Sequence, residues 1–227
     1  MNYMNRIDAV IKIGGELILN KHSRASIIRE LLKNIQSGKS LLVICGGGVL
    51  SDHVRSLYSE KLISDEAAHW MAILAMDQMA HILADNRLNV KIICNPVHIK
   101  ELIAAGVLPV MQVYTYLKEN DELSHNWSVT ADSIAAYIAF KIKPCLLILV
   151  KDVNGLYPSP EIEESQLIPV IKASALNPDK HKIVDSYLPK LLSLKPDYKC
   201  WLINGHHPER ITELLETGKT TGTEILI

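Results

Sequence analysis

The sequence predicts an α/β fold in which parallel strands are covered by helices on both faces. Residues 8–13 and 41–45 are continuous apolar runs rather than alternating ones, and CLLILV at 145–150 is the most apolar run in the chain. Segments with helical spacing lie between these runs. The first two runs also end in glycines, Gly14 and Gly15 beside Lys12, then Gly46, Gly47 and Gly48. Strands that open into glycine turns, one of them carrying a lysine, suggest a phosphate-handling mouth at one end of the sheet.

Taken in order, residues 23–37 place Ile27, Ile28, Leu31, Leu32 and Ile35 on one side and read as the crossover helix. Residues 49–57 follow the GGG turn as a helix whose N-terminus faces any bound anion. From Ser64 a long amphipathic helix, with Asp65 and Glu66 in its first turn, runs to near Asn86. A strand over 90–94, a short helix from Asn95 and Pro96 through Leu102, and a brief strand around Val110 come next, with Gly106 ending the helix. Residues 118–125 are polar and read as a loop. A helix over 130–142 leads into the strand that ends at Val150, where Lys151, Asp152, Asn154 and Gly155 form a turn cluster on the expected ligand side. Residues 156–176 read as an irregular excursion with a short hairpin. Helical spacing returns over 178–194, then a strand over 198–203, a helix over 208–217 and a strand over 223–227. The whole chain, 1–227, reads as one domain without repeats.

Composition narrows the class. A net charge of -1, from 24 basic and 25 acidic residues, gives no long-range attraction to nucleic acid or to an anionic membrane surface. Cys45, Cys94, Cys145 and Cys200 are widely spaced beside apolar runs, which predicts four buried thiols in a reducing compartment rather than a zinc site or a disulfide scaffold. The first residues lack the apolar core of a signal peptide and no stretch approaches about 18 uninterrupted apolar residues, so a soluble, cytoplasmic protein is expected.

Lys12 places a point charge where close backbone amides hold oxygens. Asp132 projects from the first turn of its helix, and Lys190 follows Pro189 at a helix start. Each has an ordinary counterpart: a surface lysine, a helix cap, a solvated helix lysine. Neither glycine cluster has the spacing of a Walker loop or of a dinucleotide fingerprint.

In sequence order, KIGG at 12–15, GGG at 46–48, NWSVTADSIAA at 126–136, LVKDVNGLY at 149–157, PK at 189–190 and TGTEI at 221–225 resemble the amino acid kinase superfamily over nearly the whole chain. The resemblance implies a three-layer α/β/α sandwich with a largely parallel central sheet. It also implies transfer of the γ-phosphoryl group of ATP, accompanied by Mg2+, to a carboxylate or an existing phosphate. By the same resemblance Lys12 contacts the transferring phosphoryl, Lys190 is the second lysine that neutralises it, and Asp132 orients these lysines. Gly14, Gly15, Gly47 and Gly48 match the phosphate cradle; Lys151, Asp152, Asn154, Gly155 and Tyr157 match the nucleotide loop.

Within the superfamily, the chain length and HNWSVTADSIAAYIA look most like the kinases of methanofuran biosynthesis, which convert (5-(aminomethyl)furan-3-yl)methyl phosphate to its diphosphate. That likeness places Asn126, Trp127 and Ser128 against the acceptor, with His69 and Trp70 completing its wall; packing of the loop, or an oligomer interface, is the competing role for these side chains. It implies a homo-oligomer, a dimer or larger. An anionic acceptor needs no strong base, in keeping with the lack of an evident histidine and carboxylate pair; His22, His53, His69, His98 and His181 read as surface or packing residues. No protein residue is assigned to a resident metal, because magnesium is expected to be held through phosphate oxygens and water. Glu16 departs from the serine that many relatives carry, and it either repels phosphate, holds magnesium through water or faces away. Two rival readings stand: a kinase for an amino acid carboxylate or isopentenyl phosphate, and a non-catalytic nucleotide-binding regulator.

Overall fold

Along the chain the elements are β1 (Ala9–Ile13), α1 (Gly15–Leu19), α2 (Lys21–Gln36), β2 (Leu41–Cys45), α3 (Gly48–Ser59), α4 (Asp65–Ala84), β3 (Val90–Ile93), α5 (Ile99–Ala104), β4 (Leu108–Met111), α6 (Val113–Asn120), α7 (Ala131–Ile142), β5 (Leu146–Lys151), β6 (Val170–Lys172), α8 (Leu188–Ser193), β7 (Lys199–Asn204), α9 (Glu209–Thr217) and β8 (Thr223–Leu226). They belong to a computed structural model that describes residues 7–158, 166–177, 179, 183–194 and 198–227. The eight strands form one sheet in the order β3-β4-β2-β1-β5-β7-β8-β6. Every pairing of these strands is parallel except β7 with β8. This is the α/β fold with a largely parallel central sheet that the sequence predicts.

All five residues of β1 and all five of β2 are buried, so the apolar runs are continuous because both sheet faces are covered. Alternation along each strand then sorts the side chains. Val10, Leu42, Ile44, Leu147 and Leu149 join Ile134, Ala135 and Ile138 of α7 and Leu188 of α8 on one face. Ala9, Ile11, Ile13, Leu41 and Val43 meet Ile27, Ile28 and Leu31 of α2 and Ile211 of α9 on the other. Each of the fully buried aliphatic side chains on α2 contributes about 2 kcal/mol. Helix α4 feeds both cores, giving Ile73 and Met76 to the first and Met79, Ala80 and Leu83 to the second. Asn20 caps α2 by accepting from the amides of His22 and Ser23, each at 3.0 Å, and Ser64 caps α4 through the Ala67 amide at 3.2 Å.

The structure corrects two expectations. Residues 118–120 belong to the helix α6 rather than to a loop. Its N-cap position, Gln112, makes no side-chain cap; the missing acceptor is Asp77 of α4, whose carboxylate takes the amides of Val113 at 2.6 Å and Tyr114 at 3.2 Å. Burial pushes the Asp77 carboxyl up to about 6 while these two bonds pull it down. Second, Cys45 and Cys200 are buried, but Cys94 and Cys145 are exposed. Cys94 follows the edge strand β3 and Cys145 precedes β5, so neither lies within a covered strand. Leu156 and Ile168 form an isolated antiparallel bridge at the base of the irregular excursion, whose residues 159–165 lie outside the described residues. The expected helical spacing over 178–194 appears as α8; Pro178 and 180–182 also lie outside the described residues. Among the described residues no helix is long and apolar enough to cross a membrane.

Replacing Asp77 by alanine strips two amides of their acceptor at about 1 kcal/mol, so hydrogen exchange across 113–120 should quicken roughly fivefold while α2 exchanges as before. Peptide-resolved exchange at neutral pH reads this directly; unchanged protection in 113–120 contradicts the cap.

Candidate active site

Lys12 and Lys151 reach the same carboxylate because of strand parity. In the β1–β5 ladder Lys12 pairs with Leu149, and Lys151 lies two residues on from Leu149, so both lysines point to the α7 face. Asp132 stands there in the first turn of α7. Its Oδ1 ion-pairs with Lys12 Nζ at 2.9 Å, and its Oδ2 accepts from Lys151 Nζ at 2.6 Å. Asp132 is only 2% exposed and Lys12 5%. Burial alone raises a carboxyl, but the charges and hydrogen bonds of the two lysines outweigh it and hold Asp132 at about 2. Burial pushes the Lys12 ammonium down from its ordinary value, Asp132 opposes that shift, and Lys151 adds to it.

The N-terminus of α7 is held from a distance. Thr130, its N-cap, makes no side-chain cap of its own. Asp185 accepts the amides of Thr130 and Ser133, each at 2.9 Å, the Thr130 hydroxyl at 2.8 Å and the Ser133 hydroxyl. Asp132 is therefore free of the capping role that was its ordinary alternative. Burial and the charge of Asp132 raise the Asp185 carboxyl, and the bonds from Ser133 and Thr130 oppose them.

Lys12 also looks into the glycine turns. A Cβ on Gly15 would sit 2.3 Å from the Gly48 Cα and 2.4 Å from its nitrogen, so the two turns touch through main chain. Gly48 has φ +52, a conformation that favours glycine. A Cβ on Gly47 would overlap the Ser51 hydroxyl at 1.7 Å. Gly14 differs: its amide donates to Val150 O at 2.9 Å, tying the first turn to the end of β5.

Beside this cradle opens a cavity of about 230 Å³. Lys12, Gly15, Gly47 and Gly48 line one side of it; His69, Asn126 and Trp127 line another. The cavity also has Arg55 in its wall, with the guanidinium 4.7 Å from the Trp127 ring centre. Glu16, Asp52 and Asp65 line it as well. The Trp127 indole nitrogen is buried and has no acceptor among the described residues.

The remaining sequence candidates stand apart from the cavity. Trp70 donates to Glu66 at 2.7 Å, carries the Lys118 ammonium 3.7 Å over its ring and does not line the cavity. Ser128 is turned to its own loop, with its amide on Asn126 Oδ1 at 2.9 Å. Lys190 is exposed on α8, its ammonium 4.7 Å over the Tyr187 ring, and the lysine sharing Asp132 with Lys12 is Lys151. Asp152, exposed, and Tyr157, half-buried, flank Asn154, whose Oδ1 accepts from Asn204 at 3.1 Å and Arg210 at 2.7 Å. Gly155 packs on Thr223, where a Cβ would approach the hydroxyl to 2.5 Å. His181 lies outside the described residues.

Sequence reasoning missed Arg55, Asp185, Asp121 and His125. Arg55 had a readable signal: Gly48, Ser51, Asp52 and Arg55 follow a three-to-four-residue helical spacing from the GGG turn, which places them on one face. Asp185 reaches Thr130 and Ser133 from more than 50 residues away, and Asp121 and His125, four residues apart, meet His69 only through the fold.

The pattern that describes the amino acid kinase family matches residues 9–191. The [5-(aminomethyl)furan-3-yl]methyl phosphate kinase of Methanocaldococcus jannaschii is 26% identical over 217 residues, 96% of this chain and 97% of that protein. Isopentenyl phosphate kinase of Thermoplasma acidophilum is 22% identical over 236 residues, 90% and 95% of the two chains. The crystal structure of uridylate kinase from Archaeoglobus fulgidus shares the fold, with a TM-score of 0.70 at 22% identity, covering 96% of this chain and 100% of that one.

Because Asp132 is held at about 2, below the ordinary 3.8, its contribution to stability is complete above that ordinary value and is lost as pH falls through about 2. Unfolding by denaturant at pH 6, 4, 3 and 2 should show this loss in the parent protein. Asp132→Asn should be less stable by about 3–5 kcal/mol at pH 6, since two lysines lose their counter-charge, and its curve should flatten below pH 4.

Proposed function

The chain belongs to the amino acid kinase family, and from that premise we propose that it transfers the γ-phosphoryl group of Mg-ATP to a small phosphomonoester. The observation that carries the reading is the juxtaposition of the Lys12–Asp132–Lys151 group, the glycine cradle and the acceptor-sized cavity. The transferring group spreads negative charge over three oxygens, and fixed cations beside it stabilise the transition state without a covalent intermediate. Lys12 supplies that charge at the cavity wall. Asp132 acts through the lysines it positions, since a carboxyl held at about 2 is a poor base. Lys151 is the second cation by proximity to Asp132, and Lys190 the second cation by sequence likeness.

The cradle fits a polyphosphate: main chain meets main chain at Gly15 and Gly48, leaving no room for side chains where an anion must approach amides. Magnesium, when bound with ATP, neutralises phosphate charge; Glu16, in the first turn of α1 at the cavity edge, fits a contact to it through water. Asn154, Asp152 and Tyr157, beyond β5, supply the nucleotide loop in this reading.

For the acceptor we favour (5-(aminomethyl)furan-3-yl)methyl phosphate, the substrate in the name of the 26%-identical relative. Its phosphate matches Lys12 and Arg55, its ammonium matches Asp52 and Asp65, and its ring matches the face and the unpartnered indole nitrogen of Trp127. Isopentenyl phosphate, named in the second relative, has no ammonium to meet these acidic residues. A cytoplasmic homo-oligomer, folded as one domain over 1–227, completes the proposal.

Purified protein given Mg-ATP and the furan phosphate should form ADP and the diphosphate in equal amounts. Isopentenyl phosphate and N-acetylglutamate should react with kcat/KM lower by about 100-fold or more. Folded Lys12→Ala should lose roughly 100- to 1000-fold in kcat; the larger of the losses in Lys151→Ala and Lys190→Ala identifies the second cation. Nucleotide binding with no turnover of any acceptor would favour a regulator instead.

Arg55→Ala should raise the acceptor KM about tenfold or more, with the ATP KM little changed. Initial rates with each substrate varied in turn separate the two, and an unchanged acceptor KM removes Arg55 from the site.

A further inference from the structure

At the far side of the cavity wall two imidazoles and a carboxylate converge. His69 Nε2 lies 2.9 Å from Asp121 Oδ2, and His125 Nε2 lies 3.0 Å from the same oxygen. The rings stack with centres 3.9 Å apart and planes inclined by 13°. All three donor atoms fall within 4.8 Å of one another. Around a tetrahedral zinc ion with bonds near 2.0 Å, neighbouring ligand atoms stand about 3.3 Å apart, so the donor spacing suits an ion once the stacked rings turn to aim both Nε2 lone pairs at it.

The surroundings orient each ligand. The second oxygen of Asp121 accepts the Leu123 amide at 2.8 Å, which fixes the carboxylate. Glu66 sits against Nδ1 of His125. A carboxylate on Nδ1 claims that ring proton, as in metal-bound histidines. Nε2 of His125 faces an oxygen that carries only lone pairs. Either a second ring proton or a metal ion must lie between them. The exposed flank also suits a metal, because the His125 side chain is 29% exposed while His69 and Asp121 are 3% and 6% exposed, leaving one open side for a fourth ligand.

We infer that His69, Asp121 and His125 bind one divalent ion of the zinc class through Nε2, Oδ2 and Nε2, with water completing the set. Two imidazoles and one carboxylate suit zinc or cobalt rather than magnesium or calcium, which take oxygen ligands. The ion joins α4 to the segment 121–130 that carries Asn126 and Trp127, so it sets the acceptor wall without touching the transferred group. This inference stands apart from the kinase reading and survives its failure.

The test is a cobalt titration of the chelator-stripped full chain, followed by visible absorption. We expect a band of tetrahedral intensity saturating near one equivalent, displaced by zinc and untouched by millimolar magnesium, with a higher thermal midpoint in the metal-loaded protein. His125→Ala and Asp121→Asn should each weaken binding by about 100-fold, and Glu66→Gln, which keeps all three ligands, by about tenfold. Circular dichroism confirms that each variant is folded. No saturable band in the parent protein overturns the inference, as does a band that persists in both ligand variants. A band lost in the Cys94→Ser/Cys145→Ser double variant, where the cluster is intact, assigns the metal to exposed thiols and also overturns it.

Discussion

A buried carboxylate shared by two lysines is the constraint around which the rest of this structure is arranged. Three charges in so enclosed a place are tolerable only if each is tightly paired, because the desolvation penalty of several kcal/mol per ion is recovered only in good geometry. That geometry draws on three elements. β1 supplies Lys12, β5 supplies Lys151 from the adjacent ladder, and α7 supplies Asp132 from a turn whose amides are occupied by Asp185. The apolar bulk on both sheet faces holds the strands in register, and register decides whether the lysines share a face. The core thus serves the site through parity: a one-residue slip of β5 would point Lys151 at the α2 face and strand Asp132.

Much of this was legible in the primary structure. The strands β1, β2 and β5 announce themselves as unbroken apolar runs, and helices α2 and α4 as periodic segments, α4 with Ser64 at its start, whereas the Asn20 start of α2 lies three residues before the segment read from its spacing. The glycine turns, Lys12 and Asp132 were readable because each sits in a short motif. What the sequence hid is non-local. Asp77 completes α6 from 36 residues away, and Asp185 completes α7 from 55 and 52 residues away. No window of local pattern can contain such pairs.

The same limit explains the histidines and cysteines. His69 reads as an ordinary helix residue, and only the return of the chain at 121–125 brings Asp121 and His125 against it. Lys190 stands out in the sequence by its proline, whereas Lys151 reads as a turn residue; the ladder with β1 brings it to its partner. Cys94 and Cys145 sit next to apolar runs, but adjacency in sequence is not membership in a covered strand.

The contact between the two glycine turns has a consequence for divergence. With Gly15 and Gly48 pressed main chain to main chain, neither position can drift alone; any side chain at one forces the other backbone to retreat and widens the mouth of the cavity. The pair therefore behaves as a single inherited character. Novelty is channelled to the opposite wall, where Asn126 and Trp127 ride on a segment tied to α4 by polar contacts rather than by shared backbone. A lineage built on this frame can reshape one wall of the cavity by rewriting one loop while the glycine end stays fixed.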